Sequence, residues 1–294
     1  MKSRADHIKS VGFVGNHDKA HFAAAARQAA KAITAAGRKI FCEPATAAAA
    51  KIEAGLCPDL PALARKVDLL LVFGGDGTML KVARDIAGSP TPILGINLGN
   101  LGFLTAVSAR DIARALKNVW QGKFNYESRS LIEVKGRCHG RAVNEAAMND
   151  IVVSRGLASR LIELEVSVNG EPLTRYRCDG LILSTPTGST AYSLAAGGAV
   201  VFPTAEVLAL TPICPHTLSN RALILPISAT IEVTIISPRP EVILSADGQV
   251  VSDMRTGDKI QIVRSRRTVR LVHLEGRSFC ETLRLKLHWR GAAV

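Results

Sequence analysis

Gly74-Gly75-Asp76-Gly77-Thr78 stands where an apolar run ends and a helical pattern begins. Three glycines let a backbone approach a ligand closely, and the N–H groups that open the following helix attract an anion. Asp76 is the informative residue, because phosphates repel an acid unless it bridges through a metal or accepts a proton from a nucleophile. The plainer reading of the same residue is a helix N-cap in a tight turn. Lys81, one turn into the helix, either counters phosphate charge or lies on a solvated helix face.

Three more segments fit this chemistry. Asn97-Leu-Gly-Asn-Leu-Gly-Phe-Leu104 also ends an apolar strand, and its glycines suit a sharp loop beside the first one, at the carboxyl ends of parallel strands. Asn149-Asp150 pairs an amide with a carboxylate, which suits a ribose diol and a base edge but is also ordinary turn chemistry. The run from Asp179 to Gly198 leads a strand into a hydroxyl-rich loop, Ser184-Thr-Pro-Thr-Gly-Ser-Thr-Ala-Tyr-Ser193, whose Tyr192 could lie against a flat ring. Apolar sequence on both sides of it argues against a merely solvated turn.

These segments need elements to position them, and the chain has two periods. Up to about Trp120, apolar runs at Val11–Val14, Lys39–Cys42, Val67–Phe73 and Pro92–Ile96 alternate with helical patterns at His21–Ala36, Thr78–Ala87 and Ser108–Trp120. The last helix opens with Ser108 and Asp111 spaced as a capping box. Alternation of this kind predicts an α/β domain with a largely parallel sheet. After about Arg129 the period becomes two. Strands are expected at Ile162–Val168, Gly180–Ser184, Thr230–Ile236, Glu241–Ser245, Lys259–Arg264 and Thr268–Leu274. Asn169-Gly170 is a type I′ hairpin turn, and an all-β sandwich-like second domain follows. No low-complexity linker separates the halves, so a tight interdomain cleft is expected to hold the active site.

Composition limits the alternatives. The 294 residues are 47% hydrophobic, enough for about two domains of roughly 100–200 residues each, and they exclude disorder as the main state. No run reaches the ~18 apolar residues of a membrane span, and Met1 to Ala20 carries too many charges for a signal peptide. A cytoplasmic protein is expected. Six cysteines without C-x-x-C spacing suggest reduced thiols rather than a zinc site or a disulfide framework. The net charge of +12 fits either a nucleic-acid surface or a field that draws in phosphorylated small molecules. Its densest group, Arg264, Arg266, Arg267 and Arg270, comes without a reader motif or an aromatic platform, which disfavours nucleic acid. Gly95-Ile-Asn-Leu-Gly99 lacks the glycine spacing of a dehydrogenase fingerprint.

With its motifs in this order, the chain resembles the bacterial NAD kinases over nearly its whole length. The resemblance rests on Gly74 to Thr78, Asn97 to Leu104, Asn149-Asp150, Ser184 to Tyr192, Asp247-Gly-Gln249 and Leu285-Lys-Leu-His-Trp289. The hydroxyl-rich segment is the most specific part, since lipid and sugar kinases of the wider superfamily share only the first loop. A non-catalytic dinucleotide sensor is disfavoured by the presence of Asp76. The implied activity is ATP-dependent phosphorylation of the 2′-hydroxyl of the adenosine ribose of NAD, giving NADP.

Under this resemblance Asp76 is the general base, and Gly77 and Lys81 contact the dinucleotide. Asn149 and Asp150 hold adenosine and ribose hydroxyls; Asn144-Glu145 is a competing match, disfavoured because Ile151 to Gly156 continues the family pattern. Many members have Glu where Asp150 stands. Arg160, Arg177 and Asp179 line the dinucleotide site, Thr190, Ala191, Tyr192, Ser193, Leu194 and Ala195 surround its adenine end, and Gln249 adds a polar contact. NAD and ATP are the implied substrates, with polyphosphate an open alternative donor. Mg²⁺ or another divalent cation is held mainly by ATP phosphates, without a protein metal site. No nucleic-acid or membrane partner is expected, and the chain is expected to form a homodimer or homotetramer. The implied domains are 1–127, completed by about 277–294, and 128–276.

Overall fold

In the computed structural model, which describes residues 7–99, 102–105, 107–156, 161–217, 221–238, 241–276 and 278–289, the first half alternates as expected. Its elements are β1 (Ser10–Gly15), α1 (Phe22–Ala35), β2 (Lys39–Cys42), α2 (Pro44–Ala50), β3 (Gly55–Leu56), α3 (Leu60–Lys66), β4 (Leu69–Gly74), α4 (Asp76–Asp85), β5 (Ile93–Asn97), β6 (Val107–Ser108) and α5 (Ile112–Trp120). The strands pair in parallel in the order β3-β2-β1-β4-β5-β6. Every residue of β4 and β5 is buried, which is why both read as unbroken apolar runs. The strand order reverses at β1 and β4, and open sheets bind ligands at the carboxyl ends of strands at such a point.

Two helices of this half escaped the sequence reading. α2 is a short alanine run with Pro44 in its first turn, and α3 is opened by Asp59, whose side chain accepts from the Ala62 N–H at 2.7 Å. The proposed box at Ser108 does not form. Its hydroxyl donates to the Asp111 carboxylate at 2.9 Å and caps no backbone N–H, and a 3₁₀ turn over Ala109–Asp111 precedes α5.

The remaining elements are β7 (Phe124–Cys138), β8 (Arg141–Ala147), β9 (Asp150–Arg155), β10 (Ile162–Val168), β11 (Glu171–Cys178), β12 (Gly180–Ser184), α6 (Tyr192–Ala195), β13 (Val207–Ile213), β14 (Leu223–Pro226), β15 (Ile231–Ile235), β16 (Val242–Ala246), β17 (Gln249–Met254), β18 (Lys259–Leu274) and α7 (Phe279–Lys286). One antiparallel sheet runs β14-β13-β12-β9-β16-β17 and another contains β11-β10-β15-β18. Ile151, Val153, Leu181 and Leu183 from the first share one apolar core with Leu164, Val166, Val233 and Ile260 from the second. This is the sandwich that the alternating pattern predicts. Asn169 and Gly170 form its β10–β11 hairpin turn with φ of 53° and 84°.

The chain divides into Met1–Ser128 with Thr268–Val294, and Arg129–Arg267. The return to the first unit therefore begins at Thr268 rather than near Arg277. The reason is that the two strands expected at Lys259–Arg264 and Thr268–Leu274 are one, β18. Its midpoint holds no glycine or proline, and buried Ser265 donates to the Glu133 carboxylate at 3.1 Å instead of turning the chain. Val272 and Leu274 then complete the α/β core.

Leu71, fully buried in β4, is the clearest test of that core. Leu71→Ala is expected to cost about 2–5 kcal/mol of unfolding free energy, measured by urea titration. A loss well under about 1 kcal/mol would mean that the face of β4 carrying Leu69, Leu71 and Phe73 is not packed.

Candidate active site

Asp76 occupies the first turn of α4, two positions before the expected start of the helix, because extended Gly75 is the N-cap. Its carboxylate does not cap its own helix. Oδ2 accepts from the Phe103 N–H at 2.8 Å and Oδ1 from the Leu104 N–H at 3.1 Å, so the acid is clasped by the second glycine loop. Adjacent strands bring the loops together: Gly74 is in register with Asn97, and the Leu98 N–H donates to the Gly74 carbonyl at 3.2 Å. Buried Asn97 and Thr105 then brace the loop, with 2.8 Å between Asn97 Nδ2 and Thr105 Oγ1. Gly102 is required here, since a Cβ on it would lie 1.9 Å from Asp76 Oδ1. Gly75 and Gly77 are different: a Cβ on either would meet nothing within 4 Å, which leaves open space beside the acid.

Each oxygen of Asp76 spends one lone pair on an N–H and keeps another for a ligand hydroxyl. No side chain caps α4; the Thr78 and Met79 N–H groups donate to the Gly75 carbonyl at 3.1 and 3.2 Å. Lys81 lies elsewhere on the helix. It is exposed and lines a cavity of about 490 Å³ at the carboxyl end of β1, with Asn16, His17, Thr46 and Asp85 among its walls.

In the β-sandwich unit, Asn149-Asp150 forms the bend that enters β9. Two segments shape it. The Asp247 carboxylate accepts from the N–H groups of Met148, Asn149 and Asp150 at 3.0, 2.7 and 3.3 Å. The Asp247 N–H donates back to the Asp150 carbonyl at 2.9 Å. Thr185 donates its hydroxyl to the Met148 carbonyl at 2.6 Å, and a Cβ on Gly188 would lie 2.2 Å from the Asn149 oxygen. The competing Asn144-Glu145 sits mid-ladder in β8, opposite Lys135 and Val134, with no bend.

The hydroxyl-rich segment is mostly scaffold. Ser184, Thr185, Ser189 and Thr190 donate to carbonyls of this loop or its neighbour, Thr187 accepts from buried Arg129, and Ser193 pairs with Thr211 at 3.0 Å in the interior. The Ser193 hydroxyl therefore faces the core rather than a ligand. Tyr192 and Ala195 remain exposed on α6, with Ala191 and Leu194 half-buried beside them, and Gln249 is exposed at the start of β17. Asp179 is engaged by Arg155 Nε at 2.6 Å, a partner that sequence reading missed. Arg177 is exposed on β11, and Arg160 lies outside the described residues.

Among the described residues, no group of three or more His, Cys, Asp or Glu stands together to hold a metal. The thiols are free, and burial pushes Cys42 up to about 11 and Cys178 up to about 12, which keeps them protonated and inert. Of the basic cluster on β18, Arg264 is paired with Glu206 at 2.7 Å.

Fold and site together define a two-domain protein in which an α/β unit presents a clasped carboxylate at a phosphate-type loop. Residues 11–124 match the family model described as ATP-NAD kinase N-terminal domain, and residues 148–274 match its C-terminal counterpart. An NAD kinase from Ralstonia nicotianae is 40% identical over 298 residues, covering 98% of this chain and 97% of its own. The yeast NADH kinase solved with NADH superposes with a TM-score of 0.88 at 28% identity, covering 98% of this chain and 89% of that one. An NAD kinase from Archaeoglobus fulgidus solved with ATP shares the fold, with a TM-score of 0.75 at 24% identity and coverage of 96% and 100%. The chain belongs to the ATP-NAD kinase family.

Asp150 makes the site sensitive to pH. Burial, then the neighbouring Asp247 carboxylate, raises its carboxyl from 3.8 to about 7. The folded state thus holds a proton that the unfolded chain releases. Stability from this group is complete below 3.8 and is lost as pH rises through about 7. Between about pH 4 and about pH 8, the wild type should lose up to about 4 kcal/mol relative to Asp150→Asn, which does not titrate. Melting both proteins across that range checks this; parallel curves would contradict it.

Proposed function

We propose that this chain phosphorylates the 2′-hydroxyl of the adenosine ribose of NAD at the expense of ATP, giving NADP and ADP. The observation that carries the reading is the clasped Asp76 at the start of α4, in a chain of this family. Phosphoryl transfer asks little covalent chemistry of a protein; it needs in-line positioning, charge neutralisation and a proton acceptor. Asp76 accepts the proton of the 2′-hydroxyl while the N–H groups of Phe103 and Leu104 hold its carboxylate still. Gly77 lies beside the dinucleotide, and the open space at Gly75 and Gly77 admits it.

Residues of the β-sandwich unit select the substrate. Asn149 offers an amide to the adenosine, and Asp150 takes a ribose hydroxyl. Tyr192 stacks on a planar ring, with Thr190, Ala191, Leu194 and Ala195 around it. Ser193 acts through its backbone, since its hydroxyl is spent on Thr211. Gln249, Arg177 and the Arg155-held Asp179 add polar contacts. Lys81 neutralises phosphate charge from the cavity it lines. A divalent cation bound to the ATP phosphates would supply further neutralisation, with Asp76 the nearest acid the α4 loop offers it.

Asp76→Asn keeps the shape of the side chain but cannot accept the proton. NAD binding by calorimetry should stay close to wild type, while NADP formation, read with an NADP-specific enzyme, falls roughly 10²–10⁴-fold. Gly102→Ala should lower turnover as well, because its Cβ displaces the carboxylate. Near-normal turnover in Asp76→Asn would sink the base assignment.

A further inference from the structure

Asp76 is held by backbone N–H groups, so its position depends on whatever fixes the backbone of residues 102–104. That stretch belongs to no helix or strand. Of its two large side chains, Leu104 is buried in the core, while Phe103 is half-buried and points at the C-terminal helix α7. The Phe103 and Phe279 rings lie 6.3 Å apart at 49°, and Lys286 Nζ stands 5.4 Å from the Phe103 ring centroid. The two α7 residues are seven apart, hence on one helix face two turns from each other. They meet the ring as an aromatic neighbour and as a cation.

α7 is itself fixed. Ser278 caps it by accepting from the Glu281 N–H at 3.0 Å, and Leu283 is its buried anchor. Phe279 is only half-buried and Lys286 is exposed, so neither is needed to fill the core. Their common target is the residue whose N–H holds Oδ2 of Asp76 at 2.8 Å.

We propose that α7 is a positioning element for phosphoryl transfer: Phe279 and Lys286 hold the Phe103 ring, and through it the N–H donors that aim the Asp76 carboxylate. The inference rests on Asp76 being the base. It concerns how that base is aimed, so it affects turnover and leaves dinucleotide binding alone.

The experiment measures kcat and KM for NAD in the full chain. Phe279→Ala should lower kcat about tenfold, as a small misplacement of a reacting group does, with KM within about twofold of wild type. Lys286→Ala should move kcat in the same direction by a smaller factor. Phe279→Tyr and Lys286→Arg, which keep the ring and the charge, should restore most of the rate. In an Asp76→Asn background Phe279→Ala should cost no further turnover, because the group it aims is gone. Unchanged kcat in Phe279→Ala, a KM that rises as kcat falls, or the same tenfold loss in the Asp76→Asn background would each overturn the proposal. Should Phe279→Ala fail to fold, exposed Lys286 carries the same test. If Asp76→Asn alone retains turnover, the base assignment fails instead, and the two failures are told apart.

Discussion

The carboxylate of Asp76 is held in place by two backbone N–H groups from another loop, and much of the α/β unit serves that contact. A free aspartate on a glycine-rich turn would sample many rotamers and would also be drawn to cap its own helix. Extended Gly75 starts α4 one residue before the acid, which turns the side chain away from that role. Parallel pairing of β4 with β5 sets Gly74 beside Asn97, so the two loops leave the sheet side by side. Asn97 and Thr105, both buried, fix the second loop, and the absence of a side chain at Gly102 lets the carboxylate settle against it. The unbroken apolar runs of β4 and β5 earn their burial by placing these loop ends.

The β-sandwich unit repeats the device with the roles exchanged. There the carboxylate, Asp247, is the clamp, and the clamped segment carries Asn149 and Asp150, the pair proposed to meet the adenosine. Its left-handed backbone at φ 48° sits in the β16–β17 turn, which the sheet holds in register with β9. This arrangement has an electrostatic consequence: a buried acid beside a second carboxylate retains its proton near neutrality.

Much of this could be read in the sequence, and what could not has a physical cause. Period and turn chemistry gave away the α/β half, the sandwich and the Asn169-Gly170 hairpin, because both periods run over long segments. Short helices such as α2 and α3 carry too few turns to establish a period. The unity of β18 was hidden because its central Ser-Arg-Arg looks solvated, while Ser265 is in fact bonded inward. At the candidate site, the placement of Asp76 at a strand-to-helix turn and of Asn149-Asp150 at the entry to a strand was legible from residue type and pattern. The donors that hold Asp76 were not, since backbone N–H groups have no residue signature; only the glycine at 102 hinted at a close approach. The hydroxyl-rich segment invited the opposite error. Its hydroxyls look like ligand contacts, yet most are consumed in fixing the loop; no motif announced Arg155, and the Asp247-Gly-Gln249 motif did not disclose that Asp247 clamps another segment.

The clasped aspartate is proposed to drive phosphoryl transfer to one ribose hydroxyl of NAD. The most direct measurement is ³¹P NMR of the purified protein with NAD, ATP and Mg²⁺. A new monoester resonance matching the 2′-phosphate of NADP should appear and grow in step with ADP. Persistence of ATP and NAD, or a monoester on any other hydroxyl, would contradict it.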